Sequence, residues 1–129
     1  MSRRRPDADA LAAASHVAAL LSSDTGVPRA AVAAAVRTSL AELAHRHPGR
    51  LVEVRVPPFA AVQIGVPGAT SVHTRGTPPN VIEVGPATWL ALASGRLIWD
   101  DALGAHALSA SGAHASLADL LPVLGTDTP

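Results

Sequence analysis

The first third of the chain has the hydrophobic spacing of two α-helices. In residues 7–22 leucines and valines recur among alanines, and Asp7 and Asp9 suit the positive end of a helix dipole. From Pro28 onward, apolar residues recur at intervals of four, four and three, which places them on one helix face. They are Val32, Val36, Leu40 and Leu43. We therefore predict two helices, the second of which ends before residues 47–49, a His-Pro-Gly sequence.

A period of two then replaces the helical spacing, which indicates β-strands. In residues 52–56 valines alternate with Glu53 and Arg55, so one face of this strand is expected to be buried. Two prolines then make a turn to a second alternating strand, which ends near Val66 and forms a hairpin with the first. Two further strands are predicted at residues 71–75 and 81–84.

The last part of the chain predicts short alternating elements. Pro86 begins a helix that Gly95 ends, because glycine readily adopts the left-handed conformation that follows a helix. Two aspartates suit the first turn of the next helix. A strand at residues 107–110 and a closing helix at residues 116–121 are predicted to follow, since the first four residues of the latter have the spacing of a capping box.

Length and charge limit the class of protein. A chain of 129 residues suits one domain with a single core. We expect a disordered basic tail at residues 1–6, a folded domain at residues 7–124 and a disordered tail at residues 125–129. The net charge is zero, which argues against the broad cationic surface of a nucleic-acid-binding protein.

Cysteine is absent, so disulfides and thiolate metal sites are excluded, and the chain is compatible with a reducing cytoplasm. The acidic residues that follow the first arginines argue against a secretory signal. No run approaches the roughly eighteen apolar residues of a spanning helix, so no stable membrane insertion is expected. We predict a cytoplasmic protein.

Four sequence motifs resemble those of a known family. They are VEVRVPPF at residues 52–59, HTRGTPPN at 73–80, WLALASGR at 89–96 and Ser-Gly at 111–112. Together with the predicted order of helices and strands, they make the sequence similar to sterol carrier protein domains. More narrowly, the sequence resembles the bacterial sterol-carrier-like group found in actinobacteria. The resemblance spans roughly residues 32–121, most of the predicted domain.

The resemblance implies an α+β fold and an apolar ligand. We expect a single-domain sterol-carrier-like fold with a roughly five-stranded, mostly antiparallel sheet, helices packed on one face, and an apolar cavity between sheet and helices. The family pattern brings no catalytic residue, cofactor or metal. The expected partner is an apolar small molecule, either sterol-like, fatty-acyl or another lipid, and the resemblance names no protein partner.

The candidate binding residues are apolar side chains for the cavity walls and polar side chains for its mouth. The wall residues are Val54, Val62, Ile64, Ile82, Leu90, Leu103, Leu108, Leu117 and Leu121. At the mouth we expect His73 and Arg75, with Arg75 as the anchor for an anionic head group. The alternative is structural, because the following loop has ordinary turn chemistry and Arg75 would pair with Glu83 on a neighbouring strand.

The chain has few aromatic residues, and this favours a cavity. Walls of alanine, valine, leucine and isoleucine between sheet and helices leave apolar room for a guest. The alternative is that these side chains fill a tight core. The protein would then keep the fold as a protein-interaction or structural module.

The histidines and serines do not form a recognisable catalytic or metal site. His45 and His47 straddle a helix end, and the other histidines have no fixed ligand spacing. Ser109 and Ser111 lack the Gly-x-Ser-x-Gly elbow of a hydrolase, although His106 is close in sequence. We therefore predict a non-enzymatic protein.

Two residues depart from the sterol-carrier-like pattern. The pattern has a glycine before the last strand, where this chain has His106, and a threonine helix cap at the position of Ile98. We expect Gly104 to supply the turn two residues earlier and Asp101 partly to replace the cap. Both departures lie near the end of the predicted pocket.

Overall fold

The computed structural model describes residues 5–68 and 79–125, which form four helices and four strands. The helices are α1 (Ala8–Ser22), α2 (Arg29–Arg46), α3 (Pro86–Ala93) and α4 (Trp99–Gly104). The strands are β1 (Val52–Val56), β2 (Ala60–Ile64), β3 (Asn80–Val84) and β4 (Leu108–Ser111). No helix in these ranges combines the length and the apolarity needed to span a membrane.

The strands form one mixed sheet in the order β2-β1-β3-β4. β1 and β2 are antiparallel neighbours and make the predicted hairpin, and β3 and β4 are also antiparallel. β1 and β3 pair in parallel, with Val54 opposite Ile82. The α+β class is confirmed, but the described sheet has four strands rather than five. The predicted strand at residues 71–75 lies outside the described residues.

The alternation along the strands separates a buried face of the sheet from a polar face. Val54 of β1 lies between Val62 of β2 and Ile82 of β3, and all three side chains are buried. On the opposite face, Arg55 lies beside Glu83 in the register, and both remain at least partly exposed. The period of two in the sequence therefore reports correctly which strand residues enter the core.

One hydrophobic core joins the buried sheet face to the helices, and Leu40, Leu43 and Trp89 are among its fully buried side chains. Trp89 brings a polar atom into this core, and its indole Nε1 donates a hydrogen bond to Ser39 Oγ at 2.8 Å. Ser39 Oγ donates in turn to the Ala35 carbonyl at 2.7 Å. Because a buried indole N–H without a partner is costly, this pair fixes α3 against α2.

The ends of α1 and α2 follow the predicted signals. The Asp7 carboxylate accepts a hydrogen bond from the Ala10 amide at 2.8 Å, and so caps α1. After α2, the Gly65 amide donates to the His47 carbonyl at 2.9 Å. A Cβ on Gly65 would lie 2.6 Å from the Pro48 carbonyl oxygen, so any residue other than glycine would clash with the backbone at this position.

Glu42 places a carboxylate in the interior of the protein, on α2, with no exposed side-chain surface. Arg46 Nε donates to its Oε2 at 2.8 Å, and Arg5 Nη2 donates to the same oxygen at 3.2 Å. Arg5 belongs to the segment predicted as a tail, and this bond joins Arg5 to α2. Burial raises the pKa of Glu42, but the hydrogen bonds and charges of Arg46 and Arg5 outweigh it, so the pKa lies below its ordinary value of 4.5.

The lowered pKa of Glu42 predicts a loss of stability in acid. Because the carboxyl binds its proton more weakly in the folded than in the unfolded chain, protonation favours unfolding. The contribution is fully present above about pH 5 and disappears as the pH falls below the ordinary pKa of 4.5. Urea unfolding of the wild type and Glu42→Gln between pH 7 and pH 3 should show a stability difference that shrinks below about pH 4.5. A difference that stays constant down to pH 3 would contradict this assignment.

The predicted closing helix at residues 116–121 is wrong, because residues 118–120 form a turn and the residues on either side have no regular structure. Ser116 Oγ accepts a hydrogen bond from the Ala118 amide at 3.2 Å, as in the first turn of a helix, but no helix follows. The Leu120 amide donates to the Leu117 carbonyl at 2.9 Å, so these residues close one turn with an i, i+3 bond and do not continue into an α-helix. In addition, Pro122 disfavours helical backbone angles in Leu121.

His106 adopts the left-handed backbone conformation that the sterol-carrier-like pattern assigns to a glycine, with a φ of 57°. The expectation that Gly104 supplies the turn is wrong, because Gly104 is the last residue of α4. The chain reverses at His106 itself, just before β4. A side chain in this conformation is strained, since its Cβ approaches the following carbonyl group.

The strain at His106 predicts that His106→Gly stabilises the protein, by about 0.5–1 kcal/mol. The gain is smaller than the full cost of the left-handed conformation, because glycine is more flexible in the unfolded chain. Ala105→Gly is the matched control, since Ala105 has a φ of −85° and gains nothing from glycine. Chemical denaturation of both variants gives the comparison, and equal destabilisation by both would show that His106 is not strained.

Candidate ligand-binding cleft

Most of the predicted wall residues lie inside the closed core. The six buried members are Val54, Val62, Ile64, Ile82, Leu90 and Leu117. Since these side chains are almost completely buried, they border neither solvent nor a void that a ligand could fill. A ligand would reach them only if sheet and helices separated. Their role in ligand binding therefore stays a prediction.

The other three predicted wall residues lie nearer the surface. Leu108 on β4 and Leu121 in the C-terminal segment are half-buried. Leu103 on α4 is 44 % exposed and belongs to the surface rather than to the core. Leu121 lines the cleft described below, and it is the predicted residue that the structure brings to an open apolar site.

The predicted polar mouth lies largely outside the described residues. His73 and Arg75 belong to the segment 69–78, and their role stays a prediction. Asn80, next to this segment, is described and is almost fully buried. Its Nδ2 donates to the Leu51 carbonyl at 3.0 Å, and its Oδ1 accepts from the His114 amide at 2.9 Å. Asn80 therefore connects three parts of the backbone and serves the fold.

An apolar cleft opens between the end of α3, the start of α4 and the C-terminal segment. We call it the α3–α4 cleft. Its volume is about 290 Å³. Nine residues line it, and they are Leu92, Gly95, Leu97, Ile98, Trp99, Asp100, Ala118, Leu121 and Pro122. All of them come from helices and connecting segments, and none from a strand.

The backbone holds both walls of the α3–α4 cleft in place. Gly95 follows α3 with a φ of 79°, as predicted for a helix stop, and turns the chain toward α4. On the other side, the amides of Val123 and Leu124 both donate to the Ala93 carbonyl at 2.9 Å. These bonds fix the C-terminal segment to the end of α3. The cleft is therefore a built feature of the fold.

Two large apolar side chains mark the floor and the rim of the α3–α4 cleft. Trp99 is 4 % exposed and gives the floor an aromatic surface. Ile98 is 66 % exposed, although isoleucine is normally buried. It is the N-cap residue of α4 and makes no side-chain capping hydrogen bond. An exposed isoleucine beside an apolar cleft is available to cover a bound apolar molecule.

The α3–α4 cleft is lined mainly by apolar residues. Asp100 is the one charged residue among its nine lining residues. No histidine, serine or threonine lines it that would serve as a base or a nucleophile. Within residues 5–68 and 79–125, no three histidine, aspartate or glutamate side chains lie close enough together to hold a metal ion. Apolar contact is the interaction that this cleft can offer.

Two other clefts lie along the pair formed by α1 and α2. One has a volume of about 230 Å³ and is lined mainly by alanine, with Val17 and Thr38. The other is a shallow opening of about 730 Å³ near Arg5 and Arg37. The first is shaped by small side chains at the helix–helix contact, whereas two arginines and an aspartate border the second, and neither has an aromatic wall.

A protein-family model described as bacterial SCP ortholog matches residues 28–123. The match begins at the N-terminal end of α2, includes all four strands, and covers every residue that lines the α3–α4 cleft. The chain belongs to the bacterial sterol-carrier-like family. The comparison with curated proteins gives no match.

The sequence motifs indicated the sterol-carrier-like family, but of the residues predicted to bind the ligand only Leu121 lines the α3–α4 cleft. The other predicted wall residues lie mostly between sheet and helices, where the side chains are closely packed. A signal for the α3–α4 cleft was present, because Ile98 replaces the polar cap that the family pattern has at the start of α4. A large apolar residue at an exposed helix start is unusual and points to a neighbouring apolar surface.

Proposed function

We propose that the protein is a cytoplasmic, non-enzymatic carrier that binds an apolar small molecule in the α3–α4 cleft. The observation that carries this proposal is a fixed, largely apolar cleft with an aromatic floor in a member of the bacterial sterol-carrier-like family. Ligand sites in proteins are typically concave and apolar with few polar groups, as this cleft is.

The expected affinity is modest. A cleft of about 290 Å³ holds roughly ten non-hydrogen atoms, at about 30 Å³ for each, the share of one water molecule in the liquid. Burying about eight methylenes contributes roughly 6 kcal/mol, and association costs at least about 4 kcal/mol. Trp99 and Ile98 add contact area. The difference of about 2 kcal/mol alone corresponds to roughly 30 mM, and with about 2 kcal/mol more from these two contacts we expect dissociation constants of about 1 mM for simple alkyl compounds, suited to exchange of a carried ligand.

The test uses the two tryptophans as reporters in the unmodified chain. Trp89 is fully buried and bonded to Ser39, whereas Trp99 lines the cleft. In ¹⁵N-labelled protein, titration with 1-octanol should shift the indole N–H resonance of Trp99 and leave that of Trp89 in place. Trp89→Phe assigns the two resonances. Absence of any shift of the Trp99 resonance up to the solubility limit of octanol would refute the proposal.

A second candidate function is that of a protein-interaction or structural module. The closed core under the sheet favours it, because Val54, Ile64 and Ile82 leave no space for a guest. The exposed Ile98 and Leu103 would then contact a partner protein instead of a ligand. In that case octanol would leave the Trp99 resonance in place, and Ile98→Ser would weaken capture of the partner.

A further inference from the structure

The size of the α3–α4 cleft restricts the shape of its ligand. Its volume of about 290 Å³ lies at the lower limit of typical ligand pockets, which span roughly 300–1,000 Å³. At about 30 Å³ for each non-hydrogen atom, a fused four-ring sterol with its side chain needs more than twice this room. A single alkyl chain of up to roughly ten atoms fits.

The charge distribution around the α3–α4 cleft restricts the head group. Asp100 is exposed at the start of α4 and contributes the one charge among the lining residues. α3 contributes Leu92 to the walls, and the C-terminal segment contributes Ala118, Leu121 and Pro122, all uncharged. Arg96 is adjacent in sequence to two lining residues but does not itself line the cleft.

A carboxylate at this rim would face the Asp100 carboxylate across apolar walls. Like charges repel, and because Asp100 is exposed to solvent the repulsion is modest. A hydroxyl group meets no such repulsion and can donate a hydrogen bond to the carboxylate. An alkylammonium group is attracted to it.

We propose that the ligand of the α3–α4 cleft is a slim alkyl compound of up to about ten non-hydrogen atoms with an uncharged or cationic head, and not a sterol or an ionised fatty acid. This inference rests on the proposed function, since it concerns the same cleft. It assigns Asp100 a role in specificity, as the residue that disfavours anionic ligands.

The experiment compares head groups on one chain length at low ionic strength, where charge interactions are least screened. We titrate the wild type with 1-octanol, octylammonium and octanoate at pH 8 and follow the Trp99 indole resonance. Octanoate should bind at least about threefold more weakly than octanol. Asp100→Asn should remove this difference. The matched control is Asp101→Asn, which changes the net charge equally at the next residue, outside the lining of the cleft.

Chain length is tested with alcohols from 1-hexanol to 1-undecanol. Affinity should rise about fourfold for each added methylene and level off near nine or ten carbons, when the cleft is full. Three results would each overturn the inference while the proposed function stands. Octanoate could bind as tightly as octanol, Asp100→Asn could behave like Asp101→Asn, or affinity could keep rising up to undecanol. If no octyl compound shifts the Trp99 resonance, both fail.

Discussion

Asn80→Ala is expected to lower the free energy of unfolding by about 3 kcal/mol. Asn80 lies at the start of β3 and is 2 % exposed. Its side chain donates to the Leu51 carbonyl at 3.0 Å and accepts from the His114 amide at 2.9 Å. Alanine would leave both backbone groups without their partner, and each loss costs about 1–3 kcal/mol. Urea denaturation followed by tryptophan fluorescence measures the difference.

Gln63→Ala serves as the control for Asn80→Ala. Gln63 also lies on a strand and also makes a side-chain hydrogen bond, from Arg50 Nε at 3.2 Å, but this bond is exposed to solvent. Its loss should cost less than about 0.5 kcal/mol, since water replaces the partner. A loss below about 1 kcal/mol for Asn80→Ala would show that water also reaches the Leu51 and His114 groups.

Gly112 gives a second measurement of the same contact. A Cβ at this position would lie 2.3 Å from Asn80 Oδ1 and 2.6 Å from the Pro79 carbonyl oxygen, and the φ of 110° already disfavours other residues. Gly112→Ala should therefore destabilise the protein as well. Because removal of the Asn80 side chain relieves part of the clash, the double variant should lose less stability than the two single variants lose together.

Local patterns predicted most of the elements, because their signals lie within a few residues. The valine alternation in β1 and the spacing from Val32 to Leu43 correspond to real strands and helices. Gly95 ends α3 as predicted. The closing helix at residues 116–121 failed because a capping pattern does not by itself supply enough helical hydrogen bonds.

The pairing of distant strands was less accessible to sequence reasoning. The parallel contact between β1 and β3 joins residues about thirty positions apart, as in the pair Val54 and Ile82. A period of two reports which side chains are buried but not which strand lies alongside or in which direction. The prediction of a mostly antiparallel sheet therefore followed from the hairpin and from the family resemblance, and the structure shows one parallel pairing among the three.

The candidate site shows a further limit of sequence reasoning. A cavity wall and a filled core both require apolar side chains such as Ile82 and Leu90, so hydropathy does not distinguish a cavity from a core. The volume of a cavity depends on how the side chains of several helices and strands fit together. The α3–α4 cleft depends on the position of the C-terminal segment, which is fixed by backbone hydrogen bonds to Ala93 that leave no mark in the sequence.

Filling the α3–α4 cleft is expected to have the largest effect on ligand binding. Ala118 lines the cleft and is exposed, so Ala118→Phe adds an aromatic ring to the cleft without disturbing the core. The dissociation constant for 1-octanol should rise at least about tenfold, because the ring takes up a large part of the volume and its bulk excludes several methylenes of the ligand. The free energy of unfolding should change by less than about 0.5 kcal/mol, as for other surface substitutions.

Ala105→Phe provides the matched control, since Ala105 is also exposed and does not line the cleft. It introduces the same hydrophobic ring elsewhere on the surface and should leave octanol binding unchanged. Octanol affinity that is equal in Ala118→Phe and Ala105→Phe would place the ligand outside the α3–α4 cleft. The buried wall residues such as Leu90 would then become the binding candidates, and sheet and helices would have to separate to admit the ligand, as in proteins whose pockets form only in a minor conformation.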